Sequence, residues 1–383
     1  MRNFLIKKNT MKIEILKELF KKALSASEKI TRKVSSLPAL QNVLIGAEGN
    51  FLELTTTNLE FTIRWWILAK ISKKGQVAVP ATFLANVVNL IPADKLELAE
   101  ENQNLIITTP DQEVQIQGQD PSEFPIIPKV SKNEFWKIDI SKLTQGLSQV
   151  VDIPSVSQIR PEIAGVYFAV RAGFLKLVAT DSFRLAEKTI KLDQDTPADC
   201  LFILPQAAAR ELVNIFGPET GELTIYHNPN QVLFELASRD ASQPQINVLS
   251  RLIDGEYPNY QEIIPKKFVS HLTINREELT AQIKKAGLFS GRSSEVQLSL
   301  LPKDSKIKLF SQSVEMGKNE AAIPCKIEGE IMKISFNYKF LLDGLNNIKS
   351  SEVVLELSEN EGPGVLRPVG DTSFVYILMP IKL

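Results

Sequence analysis

The 383-residue chain contains only two cysteines and two histidines. Cys200 and Cys325 lie far apart, each in an apolar or mixed strand-like run. They read as buried thiols in a reducing compartment rather than a disulfide framework. His227 and His271 have no cysteine or carboxylate at ligand spacing beside them, so no metal set and no histidine-based acid–base pair is expected. No apolar run reaches the roughly 18 residues needed to span a bilayer. No membrane role is expected, and without a targeting segment the cytoplasm is the expected compartment. Residues 1–10 are basic and mildly apolar, with no cleavage site after them. They are expected to be an N-terminal extension, from an upstream start or as a disordered arm. The net charge of −1 gives no overall pull toward nucleic acid, although a local basic surface is compatible with it. Residues 287–292, Gly-Leu-Phe-Ser-Gly-Arg, lack the Gly-Lys-Ser/Thr ending of a phosphate loop. Asp181 and Asp254 are the best lone carboxylates, both in turn-like sequence, and no nucleophile–base set can be assembled around them.

What the chain does have is internal repetition. Lys12-Ile13-Glu14-Ile15, Lys137-Ile138-Asp139-Ile140 and His271-Leu272-Thr273-Ile274 are short alternating strands, each followed at once by a helical pattern. They recur at steps of 125 and 134 residues. A second landmark joins a strand to a helix at Pro80, Pro205 and Asn337, at steps of 125 and 132. Proline at the first helical turn and asparagine as a cap both fit helix starts. A third landmark pairs Leu54-Thr55-Thr56-Thr57-Asn58-Leu59 with Leu177-Val178-Ala179-Thr180-Asp181-Ser182, and more weakly with Leu309 to Val314. The order and spacing predict an α+β chain of three tandem copies of a two-helix, antiparallel-sheet domain, at 11–133, 134–266 and 267–383. Each copy is expected to pack its helices on its own sheet. Sheet edges left open would be paired by a head-to-tail dimer closing into a ring.

The C-terminus is apolar to its last residue, from Phe374 to Leu383. Residues 374–379 read as a strand covered on both faces, with Pro380 ending the pairing. Ile381-Lys382-Leu383 then either caps a core or lines a groove. Trp65-Trp66 is either core or an exposed patch.

These residues resemble a family, the sliding clamp or β subunit of bacterial DNA polymerase III. The resemblance runs from Met11 to Leu383. It is carried by residues 179–186 (Ala-Thr-Asp-Ser-Phe-Arg-Leu-Ala), 252–260 (Leu-Ile-Asp-Gly-Glu-Tyr-Pro-Asn-Tyr), 336–345 (Phe-Asn-Tyr-Lys-Phe-Leu-Leu-Asp-Gly-Leu) and the closing residues 376–383. It implies the DNA clamp fold and a homodimeric six-domain ring with helices inside. Twelve helices at 8–10 Å spacing give a ring of axes roughly 32–38 Å across, and a hole of roughly 22–28 Å after one helix diameter is removed. Such a ring encircles double-stranded DNA without reading sequence and tethers a polymerase at high effective concentration. The implied partners are the polymerase III catalytic subunit, the clamp loader and other repair and replication proteins. No cofactor and no catalytic residue are implied.

Carried over by position, the partner-peptide pocket comprises Ile163, Thr180, Ser182, Phe183, Arg184 and Leu185, then Pro258 and Ile263, then Ile377, Leu378, Met379, Pro380, Ile381 and Leu383. Phe183, Glu262 and Lys382 depart from the family, which frequently has histidine, arginine and arginine there. The candidate DNA-facing cations are Lys17, Lys21, Lys22, Lys29, Arg32 and Lys33, with Arg276, Lys284, Lys285 and Arg292 in the third copy. Thr82, Gln206, Ala207 and Val34 stand where basic residues are common in the family, so the inner charge is expected to be either weaker or redistributed. Leu288 and Phe289 match a hydrophobic dimer contact facing Val114 and Ile116, with plain core as the other reading. The competing classes are a protein-interaction scaffold without DNA encirclement and a hydrolase on repeated β domains.

Overall fold

The computed structural model describes residues 11–31, 37–154, 159–194, 199–238, 244–358 and 362–382. Residues 1–10, Arg32, Lys33, Val34 and Leu383 lie outside them.

The three repeat openings are alike. Strands Lys12–Leu16, Phe135–Asp139 and Ser270–Asn275 run directly into helices α1 (Lys17–Thr31), α3 (Ile140–Val150) and α5 (Arg276–Gly287). The second landmark places α2 (Ala81–Leu90), α4 (Gln206–Phe216) and α6 (Tyr338–Asn346) after strands Gly75–Pro80, Cys200–Pro205 and Lys333–Asn337. One backbone bond recurs in each copy. The first N–H of α1, α3 and α5 donates to the carbonyl of Asp94, Gly221 and Ser351 respectively, at 2.8–2.9 Å. The caps follow side-chain chemistry. Asn275 Oδ1 accepts from the Glu278 N–H and Asn337 Oδ1 from the Lys339 N–H, each at 3.0 Å. Pro80 is the N-cap of α2 rather than a residue of its first turn. In α1 the buried stripe is Phe20, Ala23, Leu24, Ser27 and Ile30. Leu19, expected on that apolar face, is exposed, because it lies about 100° around the helix from Phe20.

The described residues form two compact units, one gathering residues up to Ser141 with Asn214–Leu252, the other Lys142–Val213 with Ile253–Leu383. The first holds a five-stranded and an eight-stranded antiparallel sheet, the second a nine-stranded and a four-stranded one. Here the structure corrects the expectation of one sheet per repeat: the two larger sheets are shared across repeat boundaries. Strand Phe61–Leu68 of the first copy pairs with Pro244–Arg251 of the second, Ile63 opposite Val248. Strand Arg184–Lys191 of the second pairs with Phe374–Leu378 of the third, Ala186 opposite Tyr376.

The third landmark is a turn that starts the seam strand. Asn58 Oδ1 accepts from the N–H groups of Glu60 and Phe61 at 3.1 and 2.7 Å. Asp181 Oδ1 accepts from those of Phe183 and Arg184, both at 2.9 Å. The residue after each is left-handed, Leu59 at φ 74° and Ser182 at φ 75°. Asp181 is thus a turn residue. The third copy reaches its strand Gly317–Pro324 through Gly317 at φ 89° instead, which explains its weaker sequence match.

Strand Phe374–Leu378 is buried along its whole length. Trp65 is buried and Trp66 half-buried, on opposite faces of one strand. Cys200 is buried, Cys325 only half-buried, and neither is disulfide-bonded. His271, without a carboxylate near it in sequence, has Glu356 at 3.3 Å from Nδ1. Among the described residues no three His, Cys, Asp or Glu side chains cluster as a metal site, and no helix is long and apolar enough to cross a membrane.

Candidate functional site

The site is built where strand Arg184–Lys191 meets strand Phe374–Leu378. The Asp181 turn is reinforced by Thr180, whose hydroxyl donates to the Arg184 carbonyl at 2.7 Å and accepts from the Ser182 N–H at 3.1 Å. This turn holds Phe183 outward, 61% exposed. Its ring stacks on Phe340 of α6 at 6.5 Å between centroids.

Alternation then sends Arg184 and Leu185 to opposite faces of the sheet. Arg184 turns toward α6. Its Nε donates to Asp181 Oδ2 at 2.9 Å, its Nη1 donates to Asp343 Oδ2, and the guanidinium lies 4.6 Å from the centre of the Phe340 ring. Burial works against the charge, but Tyr376, Asp343 and Asp181 outweigh it and raise the pKa above its ordinary value. Burial likewise pushes the Tyr376 phenol up, against the Arg184 charge, and its hydroxyl donates to the Phe340 carbonyl at 2.8 Å. On the other face Leu185 and Ile377 pack with Val178, Val365, Val375 and Tyr260, under Tyr257, Ile264 and Phe268. Tyr257 stacks on Tyr167 at 4.7 Å.

The chain end is tied on both sides of Pro380. The Met379 N–H donates to the Phe183 carbonyl and the Ile381 N–H to the Ser335 carbonyl, each at 2.8 Å. Proline, having no N–H, sits between these two bonds. Arg160 Nη1 reaches Ser182 Oγ at 3.3 Å and so brings the turn before Ile163 to the same place.

The expected pocket residues therefore divide. Ile163, Thr180, Leu185, Ile377 and Leu378 are buried, Leu378 on the Arg184 face of the sheet and Leu185 and Ile377 on the opposite one. Ser182, Phe183 and Ile263 are exposed, and Arg184, Pro258, Met379, Pro380 and Ile381 are half-buried. Asp343, Phe340 and Arg160 were missed in the sequence. Asp343 and Phe340 are one turn apart on α6, but nothing local marks them as partners of Arg184.

The sequence matches three family models in order: the DNA polymerase III beta subunit N-terminal domain over residues 11–128, its central domain over 137–259 and its C-terminal domain over 261–382. The chain belongs to the DNA polymerase III beta-subunit, or sliding-clamp, family. The beta sliding clamp of Staphylococcus aureus is 28% identical over 382 residues, covering 97% of this chain and 99% of that one. That of Synechococcus elongatus is 28% identical over 353 residues, covering 90% and 92%. The crystal structure of the Bacillus subtilis DNA polymerase sliding clamp superposes with a TM-score of 0.91 at 27% identity, covering 97% and 99%.

The basic residues expected to face DNA in this sliding-clamp chain have different surroundings. Lys17 Nζ donates to the Ile91 carbonyl, just past α2, and Arg276 Nε donates to the Ser350 carbonyl, just past α6. These two begin α1 and α5 and serve as equivalent braces, a role beside the expected DNA-facing one. Lys22 pairs with Glu219 at 2.5 Å. Lys21, Lys29, Lys284, Lys285 and Arg292 make no ion pair among the described residues. Of the four expected interface residues, Leu288 is 73% exposed, while Phe289 and Val114 are half-buried. Ile116 is buried inside its own unit, so its side chain is not presented at the edge.

Proposed function

We propose that this chain is a DNA sliding clamp: two copies join head to tail, encircle duplex DNA and tether the replicative polymerase through the pocket at Phe183 and Arg184. Strand equivalence carries this reading. Two strands that begin after the third landmark are paired with the closing strand of the next copy, Phe61–Leu68 with Pro244–Arg251 and Arg184–Lys191 with Phe374–Leu378. The same relation in the third copy assigns Gly317–Pro324 to Glu113–Ile116. These are edge strands of the four- and five-stranded sheets. A second copy would supply each missing partner, and the same pairing repeated at the other end closes the assembly. In this reading the repeats divide at 11–133, 134–266 and 267–383.

The ring does its work by topology. Lys21, Lys29, Lys284, Lys285 and Arg292 would hold phosphates loosely, which keeps DNA near the axis without fixing register. Phe183, Leu378, Met379 and Ile381 would suit short apolar tails of the polymerase III catalytic subunit, the clamp loader and other replication and repair proteins. The beta subunit acts here as a non-catalytic accessory of the polymerase III holoenzyme. The test is retention on DNA. Clamps loaded on nicked circles should stay bound and leave within seconds to minutes of linearisation. Equal retention on circles and linear molecules would instead support a scaffold that does not encircle DNA.

A further inference from the structure

We propose that the seam of the first unit carries a second ligand site, for a short acidic peptide that lays a glutamine or asparagine carboxamide between Arg64 and Asn247. The two seams correspond position by position. Aligning Thr57–Thr62 on Thr180–Leu185 puts Arg64 at the place of Glu187 and Asn247 at that of Val375. In the second seam this face is sealed: Val375 lies in the cluster with Tyr260, and Glu187 pairs with Lys176 at 3.0 Å. In the first seam the equivalent face is an open groove of about 310 Å³ between the sheet and residues 127–132, lined among others by Arg64, Trp66, Asn247, Leu249 and Lys129.

Two residues that line this groove carry an unused donor and an unused acceptor. Arg64 and Asn247 are cross-strand partners. Arg64 Nε and Asn247 Oδ1 are both shielded from solvent, and neither has a hydrogen-bond partner in the protein. The carboxylate of Glu53 stays 3.8 Å from Arg64 Nε, too far for a hydrogen bond. Buried polar groups are nearly always paired, so two unpaired ones side by side mark a place where something else supplies the partners. A carboxamide matches both in chemistry: once the two side chains turn into the groove, its carbonyl accepts from Nε–H and its NH2 donates to Oδ1. A nucleic-acid phosphodiester offers only acceptors and would leave Asn247 Oδ1 unmet. The indole of Trp66 and the side chain of Leu249 give the methylenes an apolar wall. The groove is lined by Arg64, Lys129 and Lys132 and by no carboxylate among the described residues. Lys132 is already paired with Glu235 at 2.6 Å and Arg64 shares its charge with Glu53 at 3.8 Å, which leaves Lys129 to favour an acidic residue beside the carboxamide.

The test uses the full chain labelled with 5-fluorotryptophan, whose three tryptophans give three fluorine signals. The probe is acetyl-Glu-Gln-Leu-Glu-amide. The Trp66 signal should shift saturably with half-saturation below about 1 mM, while that of Trp136 stays in place. Arg64→Met, Asn247→Leu and replacement of the probe glutamine by glutamate should each weaken binding by about tenfold or more. An unchanged Trp136 signal in the unliganded variants reports an intact fold. A static Trp66 signal, or an equal shift in both variants, would overturn the proposal. A shift produced by duplex DNA but not by the peptide would also overturn it, in favour of nucleic acid. Each of these results leaves the tethering pocket of the second unit untouched, because Arg64 and Asn247 take no part in it.

Discussion

Arg184 and Asp343 are joined by an ion pair across 159 residues of sequence. The pair fastens the turn that presents Phe183 to helix α6. Asp181 holds the same guanidinium from the other side, and Phe340 lies beneath it.

Removing the arginine leaves two carboxylates and a ring face without their partner. Arg184→Met should lower stability by about 2–3 kcal/mol, since the guanidinium is largely buried. Asp343→Asn should cost about 1 kcal/mol or less, because that carboxylate is half exposed. In urea denaturation the double variant should lose less than the sum of the two. Strict additivity would mean that the pair is not coupled.

Tyr376 imposes a second constraint on α6. A Cβ on Gly344 would lie 2.6 Å from two ring carbons of Tyr376, which is fully buried and held by the Phe340 carbonyl. Gly344→Ala should therefore destabilise by about 2–3 kcal/mol despite alanine's better helix propensity. Gly46→Ala, whose Cβ meets nothing closer than 3.7 Å, should be close to neutral in the same thermal melts.

Burial pushes the Cys325 thiol up to about 11. The thiolate is the reactive form, so alkylation by iodoacetamide should be slow at pH 8 and climb until about pH 11. Rates followed by mass spectrometry check this. A plateau near pH 9 would show an ordinary thiol. The raised value also means that this group stabilises the fold below its unfolded value of about 9, and that this contribution is lost as pH rises toward 11.

Most of the fold was legible because its signals are local. Alternation set the strands, Pro80, Pro205 and Asn337 marked helix starts, and Asp181 sat in turn-like sequence. What stayed hidden was which strand pairs with which. Antiparallel pairing of Arg184–Lys191 with Phe374–Leu378 is decided by tertiary packing, and no residue type announces it. The apolar half of the candidate pocket is an expectation from the family resemblance. Its charged half was not foreseen, because Asp343 sits on an ordinary helix surface and only folding brings it to Arg184. The bonds of Lys17 and Arg276 stayed hidden for a related reason: the sequence shows that they open helices, not that a carbonyl waits there.

The chain end is expected to form part of the proposed pocket. Deleting Ile381-Lys382-Leu383 removes the bond from the Ile381 N–H to Ser335 and one apolar wall, while Met379 keeps its bond to Phe183. Affinity for polymerase-tail peptides, read by fluorescence polarisation, should fall beyond detection while the dimer persists. Unchanged affinity would place the pocket elsewhere.

The central claim is that two open sheets of each chain are completed by another copy. Size-exclusion light scattering at micromolar concentration tests it most directly. The wild type should have about twice the 42.8 kDa chain mass, and Leu288→Asp, at an exposed interface position, should shift the population toward monomer without loss of helix signal. A wild-type mass of 42.8 kDa under those conditions would contradict the ring.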